Sequence, residues 1–547
     1  MLARRSAELF VLLLTGWLLW PQRLAGYGLG HDMVFTPDQP LNAGSVGLGS
    51  TPPRAVPLDA LVALAGKALG GEVTGRLALV IPLLAAGWGA QRLLAHLLPE
   101  PQSARLPALL LVGGAVVWNP FVIERLALGQ WALLWCYGAL PWLVVAVRRR
   151  SRAATVLALA AAAITPTGAV IAAAVLLVTG WRRRLRESLA LTALAVLVQL
   201  PWLLPALTSG ASATSDPRAV AAFAARAERP GGAVGSLLGL GGIWSADVTP
   251  ASRAGVLGYL TALAVVLAVV AGRRLVPVRL WALAGAGFVL AALATMPGGG
   301  GALRWAVAHL PGAGLLRDGQ KWLLPAVLIV IVAAGLALNR LRAQPVLLAT
   351  LAAVLPLLLL PDGPATLRVP LSPVHYPAGW TQVARQVQGS RTVLVLPFSS
   401  YRSFAWAPGR TVLDPAPRLL DAPVLVDDRL AVGQELLRGE DPQVSAYLRH
   451  PDRLAGQGIG WVVVEQGTPG PVPTDLGQLT EVYAGPGVQL YRVPGPIAAP
   501  GSRAGRAVLV IGADLLVLLL VIVAAVQKAV QRAAALLHSP VTSAGES

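Results

Sequence analysis

WALLWCYGALPWLVVAVRRR, residues 131–150, carries no charge until Arg148 and then ends in consecutive arginines. At about 1.5 Å of rise per residue, the apolar part covers most of a hydrocarbon core roughly 30 Å thick. The arginines that follow are the flank that keeps a helix end cytoplasmic. Comparable apolar runs recur along the 547 residues, and they do not alternate with polar residues as barrel strands would. Composition agrees: 55% of residues are hydrophobic, 13% are charged and the mean hydropathy is +0.65, whereas soluble proteins carry roughly 25% charged residues. The sequence therefore reads as a polytopic, mainly α-helical membrane protein.

The net charge of +18 does not point to nucleic acid. Arg4 with Arg5, Arg148 to Arg152, Arg182 to Arg186, Arg273 with Arg274, and Arg340 with Arg342 sit in short clusters between apolar runs. No basic stripe interleaved with aromatics is present. Cys136 is the single cysteine, so no intrachain disulfide forms. LFVLLLTGWLLW (9–20) follows Arg4 and Arg5 as a signal peptide would, but it ends in bulky residues with no small-x-small site. It reads as an uncleaved first helix.

Placing every basic cluster in the cytoplasm threads the chain through a plasma membrane. Residues 8–25 go out, 26–72 form an outer loop, 75–97 return, 106–118 go out and 131–147 return. Residues 188–207 go out, 208–253 form a second outer loop and 255–271 return. Residues 279–295 go out, 296–322 form a third outer loop, 323–338 return, 345–361 go out and 506–526 return to a cytoplasmic tail. Between arginine clusters, 153–180 would make one helix about 42 Å long. TPTG (165–168) divides it into two halves of roughly 18 Å each, a broken segment of the kind that forms binding sites in transporters. An ordinary helical hairpin is the alternative. The total is about twelve spans with both termini inside. Trp20, Trp118, Trp131, Trp202 and Trp322 then fall at outer ends, where an aromatic belt is expected.

Residues 362–505 differ in kind. TVLVLPF (392–398), GWVVVE (460–465) and VQLYRV (488–493) read as strands, and GWTQVARQVQ (379–388) as a helix. An external α/β domain of about 140 residues can hold its own core. The division is a core over 1–361, this domain over 362–505, and a last helix with its tail over 506–547.

The same threading brings three polar groups to one face. GHDMVFTPDQPL (30–41) supplies His31, Asp32 and Asp38, ahead of an amphipathic segment, PRAVPLDALVALAGKAL (53–69). NPFVIERLALGQW (119–131) supplies Glu124, Arg125 and Gln130, and LLRDGQKW (315–322) supplies Arg317, Asp318 and Lys321. Ionisable residues grouped at helix ends in a membrane protein are functional candidates. A carboxylate such as Asp32 can take the proton of an attacking hydroxyl. Arg125, Arg317 or Lys321 can stabilise charge on a departing phosphate. The competing readings are turn or cap duties for Asp32 and Asp38, pairing of Glu124 with Arg125 alone, and plain interfacial cations for Arg317 and Lys321. No P-loop, dinucleotide fingerprint, HExxH, CxxC or GxSxG elbow occurs in the required context.

NPFVIERLALGQWALLWCYGALPW (119–142), LLRDGQKW (315–322) and PFSSYRSFAWAPGRTVLDPAPRLLDAPVLVDDRL (397–430) resemble a family of large actinobacterial integral membrane proteins. These are distantly similar to GT-C-type glycosyltransferases, among them the membrane arabinofuranosyltransferases of the mycobacterial cell envelope. The resemblance implies a GT-C-like core, a polyprenyl-phosphate sugar as donor, a cell-envelope glycan or lipid as acceptor, and chemistry on the outer face. Asp32 matches the carboxylate of the first outer loop that serves as base, with His31 beside it, although many GT-C enzymes have two adjacent acids there. Arg317 and Lys321 match cations facing a lipid phosphate. No cofactor is identified, and a divalent metal stays open. A transporter or flippase of lipid-linked sugars and a non-catalytic scaffold for envelope assembly are the rival functions.

Overall fold

The apolar runs fold as helices: α1 (Leu2–Leu18), α2 (Leu58–Leu69), α3 (Gly71–Leu97), α4 (Leu106–Val117), α5 (Pro120–Ala127), α6 (Trp131–Arg148), α7 (Arg152–Ala162), α8 (Pro166–Gly180), α9 (Leu185–Leu197) and α10 (Leu200–Thr208). Later long helices cover Val256–Gly272, Val278–Ala292, Leu324–Leu338, Pro345–Leu359 and Ala504–Leu537. This computed structural model describes residues 2–49, 55–100, 103–181, 184–209, 215–342, 344–425, 427, 430–432, 435–437, 453–470, 472, 476–497 and 504–537. Arg182 and the start of the 53–69 segment lie outside them.

Among the described residues, six helical stretches are long and apolar enough to cross a membrane: Gly71–Leu97, Leu106–Ala127, Trp131–Arg148, Val278–Thr295, Gly319–Leu338 and Gly505–Ala534. The pair α9–α10, bent by 54°, adds a seventh if it counts as one span. The sequence threading reaches about twelve by also counting runs that fold as shorter helices, such as α7, α8, Val256–Gly272 and Pro345–Leu359.

Close helix contacts rest on small residues and on donors that replace missing backbone bonds. Pro82 inside α3 cannot donate to the Ala78 carbonyl one turn earlier. The indole N–H of Trp135 on α6 takes that carbonyl instead, at 3.0 Å. Gly89 of α3 lies against Trp142, and Gly138 of α6 against the Pro82 backbone, the small-residue packing that membrane helices use. The break at TPTG is present between α7 and α8. Thr165 caps α8, its hydroxyl accepting from Gly168 N at 3.1 Å. Gly168 sits so close to the Ala162 carbonyl and to Cys136 that no Cβ fits, so this is a tightly packed turn.

Two sequence expectations change. The polar stretch after residue 118 is read as a connection between spans, but it folds as the buried helix α5. Asn119 ends α4 by donating to the Ala115 carbonyl at 2.8 Å and starts α5 by accepting from Val122 N at 3.2 Å, with Pro120 in the first turn. The aromatic belt holds only in part. Trp20 is 59% exposed, whereas Trp118, Trp131 and Trp322 are buried. Trp118 donates its indole N–H to the Leu360 carbonyl at 2.9 Å. These rings fill gaps between helices.

The small sheet domain has β3 (Thr392–Leu396), β6 (Val424–Leu425), β9 (Ile459–Glu465), β10 (Thr480–Gly485) and β11 (Val488–Arg492) in the order β10-β11-β9-β3-β6. β3 is parallel to both neighbours, and β9, β11 and β10 continue antiparallel. Both faces are covered. Val393 and Val395 pack with Trp380 on one side, and Leu394 and Leu396 with Ile459 and Val462 on the other, so β3 reads as a continuous apolar run. The helix Ala378–Gln386 and strands β3, β9 and β11 fall where the sequence places them.

Residues 27–36 join this domain to the helices. Tyr27 and Val374 exchange backbone bonds at 2.9 Å, Tyr376 donates to the Phe35 carbonyl at 3.1 Å, and Arg410 donates to the Leu29 carbonyl at 2.9 Å.

Candidate functional site

β1 (Leu29–Gly30) and β2 (Met33–Val34) pair as a minimal hairpin with His31 and Asp32 at its tip. His31 has φ 46°, the first-position geometry that a tight hairpin turn usually gives to glycine. Its backbone is gripped on both sides: His31 N donates to the Thr411 carbonyl at 2.9 Å, and Leu413 N donates to the His31 carbonyl at 2.8 Å. Behind the hairpin, Gly129 closes α5 with φ 75°. A Cβ there would run into the Gly30 carbonyl and the backbone nitrogens of Asp32 and Met33. The glycine lets the hairpin lie on the α5–α6 corner, where Asp32 N donates to the Leu128 carbonyl at 3.2 Å.

Both oxygens of Asp32 are then claimed. Tyr401, on β4 (Tyr401–Arg402), donates its hydroxyl to Oδ1 at 2.5 Å, and Gln130 donates Nε2 to Oδ2 at 2.9 Å. The other end of the Gln130 amide accepts from Arg125 Nη1. Arg125 forms a two-pronged pair with Asp318 at 2.8 and 3.1 Å, and Lys321 Nζ lies 3.4 Å from the same carboxylate. Polar residues from distant parts of the chain thus form one continuous row: Tyr401, Asp32, Gln130, Arg125, Asp318 and Lys321. The arginine side chain has no exposed surface and Asp318 only 6%, while Lys321 keeps 27%. Lys321 is therefore the cation of this row that solution or a ligand can reach.

The remaining candidates divide. Arg317 is exposed, with its guanidinium 5.2 Å from the Phe223 ring centroid. Asp38 is exposed, and no hydrogen bond or ion pair ties it to the row. Glu124 does not pair with Arg125. It accepts from Gln320 at 2.6 Å and meets Glu228, which is itself bonded to Arg253 at 3.1 Å. Gln320 lies between Asp318 and Lys321 in sequence, so α5 is fastened to that segment on two sides.

Tyr401 belongs to the row and escapes sequence reasoning. The stretch containing Tyr401 was distinctive, but only the fold shows that it returns to the hairpin. β5 (Val412–Leu413) pairs with β4 and borders His31. Arg402 anchors that return, bound to Asp414 at 2.9 Å and to Glu465 at 2.6 Å in the domain interior. Burial, with the Asp414 charge nearby, pushes Glu465 well above the usual carboxyl range despite Arg402.

Burial lowers the pKa of His31 against the opposing pull of Asp32 and Asp247. Burial alone would raise Asp318, but Arg125 and Lys321 override it and hold its carboxyl at about 2. A depressed pKa adds stability that is complete above the unfolded value of about 3.9 and fades below it. Thermal stability should accordingly stay level for this pair from neutral pH to about 4 and fall between about 4 and 2. Removing the pair with Arg125→Met/Asp318→Leu should flatten that acid limb in a pH series of unfolding midpoints.

Among the described residues no three His, Cys, Asp or Glu side chains gather as a metal site. Both Asp32 oxygens accept hydrogen bonds, so the row holds this carboxylate in a fixed orientation. An apolar pocket of about 140 Å³, lined by Leu111, Trp118, Val265, Ile331 and Leu359 among others, opens between α4 and the later long helices.

The architecture is a helical membrane core whose first loop is joined by backbone hydrogen bonds to a small sheet domain. Among solved structures, the chain is similar to arabinofuranosyltransferase AftD from Mycobacteria, with a TM-score of 0.54 and 18% identity. The match covers 91% of this chain and 40% of that one, so the chain spans well under half of that protein's length. No protein-family model matches the sequence, and no curated protein matches it.

Proposed function

We propose that this chain is a membrane glycosyltransferase that moves a sugar from a polyprenyl-phosphate donor to a cell-envelope glycan or lipid on the outer face. The observation that carries the reading is the fixed Asp32 carboxylate, tied through Gln130 and Arg125 to Asp318 and Lys321. The GT-C-like fold supports it. In this reading the core spans 1–361, the sheet domain 362–505 is extracytoplasmic, and 506–547 returns to the cytoplasm, with both termini inside.

The proposed chemistry runs along this row. An acceptor hydroxyl loses its proton to Asp32 as its oxygen bonds to the anomeric carbon, and the bond from that carbon to the phosphate oxygen breaks. The electron pair leaves with the phosphate, where Lys321 and the exposed Arg317 supply positive charge. Arg125 acts at one remove. Its guanidinium fixes the Gln130 amide, so that the amide N–H must point at Asp32. In this reading His31 and the exposed Asp38 are left to contact the acceptor, and Glu124 holds α5 in place through Gln320.

Transfer from a synthetic polyprenyl-phosphate sugar by the purified chain tests the proposal. Lys321→Ala should lower kcat/KM by about 10- to 100-fold, the worth of one charge-assisted contact to phosphate. Absence of transfer with every donor sugar tried, or an unchanged kcat/KM in Lys321→Ala, overturns the assignment.

A further inference from the structure

At the end of the bundle remote from Asp32, α6 stops and α7 starts within a few residues. The last carbonyls of α6 are taken by Arg149 N, Arg150 N and Ser151 N at 2.9–3.1 Å. This is a helix stop in which glycine is the usual residue. Here Arg150 adopts it, at φ 54°. A side chain kept in a backbone region that disfavours it directs attention to what that side chain reaches. Arg150 borders a groove of about 600 Å³. Arg150, Ser151 and Arg152 form one wall, and Val526, Gln527 and Gln531 of the last helix form the other. Residues 527 and 531 are one turn apart and so share a face, offering amide donors beside an apolar edge.

Three features define the occupant. Among the described residues neither Arg150 nor Arg152 forms a salt bridge, and the first turn of α7, whose dipole favours an anion, opens onto the groove. The surroundings are cationic: the exposed Arg148 and Arg149 precede Arg150, and the exposed Arg532 follows Gln531. The groove also borders lipid-facing surface, because Leu515, Leu519, Ile522 and Val523 on the same helix are exposed. A ligand entering from that side carries acyl chains.

We propose that this groove binds the phosphate headgroup of an anionic phospholipid, with Arg150 and Arg152 on the phosphate and the acyl chains along the last helix. The experiment follows thermal unfolding of the purified full-length chain in a zwitterionic detergent. Phosphatidylglycerol, phosphatidylcholine or inorganic phosphate is added at equal concentration. Phosphatidylglycerol should raise Tm by about 2 °C or more, and the other two should not. The rise should vanish in Arg150→Gln/Arg152→Gln and in Gln531→Glu, which keeps both arginines and adds a repelling charge. The lipid-free Tm of each variant reports whether it is folded. An equal response to phosphatidylcholine, reproduction of the rise by inorganic phosphate, or its persistence in folded variants overturns the proposal.

Discussion

Replacing Asp32 by Asn is expected to lower the rate of sugar transfer by about 10²- to 10⁴-fold, the usual contribution of a positioned general base. Membrane abundance and the unfolding midpoint should not change. The structure explains why this substitution isolates the chemistry. The Asn carbonyl oxygen can still accept from Gln130, whose own orientation is fixed by Arg125. The new amide N–H₂ then faces Tyr401, whose hydroxyl can rotate to accept. The hairpin keeps its bonds to Thr411, Leu413 and Leu128, and only the negative charge is lost. Rival functions give different outcomes. A flippase tolerates Asp32→Asn and fails when Pro166 is changed, and a scaffold tolerates both but fails without 362–505. Wild-type transfer by purified Asp32→Asn protein would remove Asp32 from the mechanism.

Asp318→Asn is expected to destabilise the protein by about 3–5 kcal/mol, because it strands a guanidinium with no exposed surface. Arg125→Met/Asp318→Leu removes both charges and fills the space with apolar atoms, so most of that loss should be recovered. Activity should not return with stability. Without Arg125 the Gln130 amide is free to turn, and its orientation against Asp32 is no longer enforced. Unfolding midpoints in detergent, read beside transfer rates for the single and double variants, separate the two effects. If the single variant loses under about 1 kcal/mol, the pair is solvated and its part in ordering the site falls.

The helices were legible because membrane helices are written locally. Each must satisfy its own backbone and be apolar over its length, so runs such as 75–97 and 131–147 declare themselves without reference to the rest. Strands β3, β9 and β11 were legible for a similar reason: short β-branched runs between turn residues have few other uses. α5 was less so. Its Asn cap and Pro start are visible in NPFVIERLALGQW, but its charges suggested an exposed connection. They are buried because each finds a partner elsewhere, Arg125 on Asp318 and Glu124 on Gln320. The tryptophans misled in the same way. An indole at a helix end serves a lipid interface or a protein interior equally well, and Trp118 goes inside because Leu360 offers a carbonyl there.

By itself, then, the sequence determined a polytopic helical protein with a sheet domain and marked out Asp32, Gln130, Arg125, Asp318 and Lys321 as separate polar groups. Only the tertiary structure decided that they form one row, that Tyr401 completes it and that Asp38 stands outside it. Helix and strand formation depend on neighbours a few residues away, which pattern can report. The row depends on hydrogen bonds between residues 98, 193 and 369 positions apart, and such partners are fixed only when packing brings the chain back on itself.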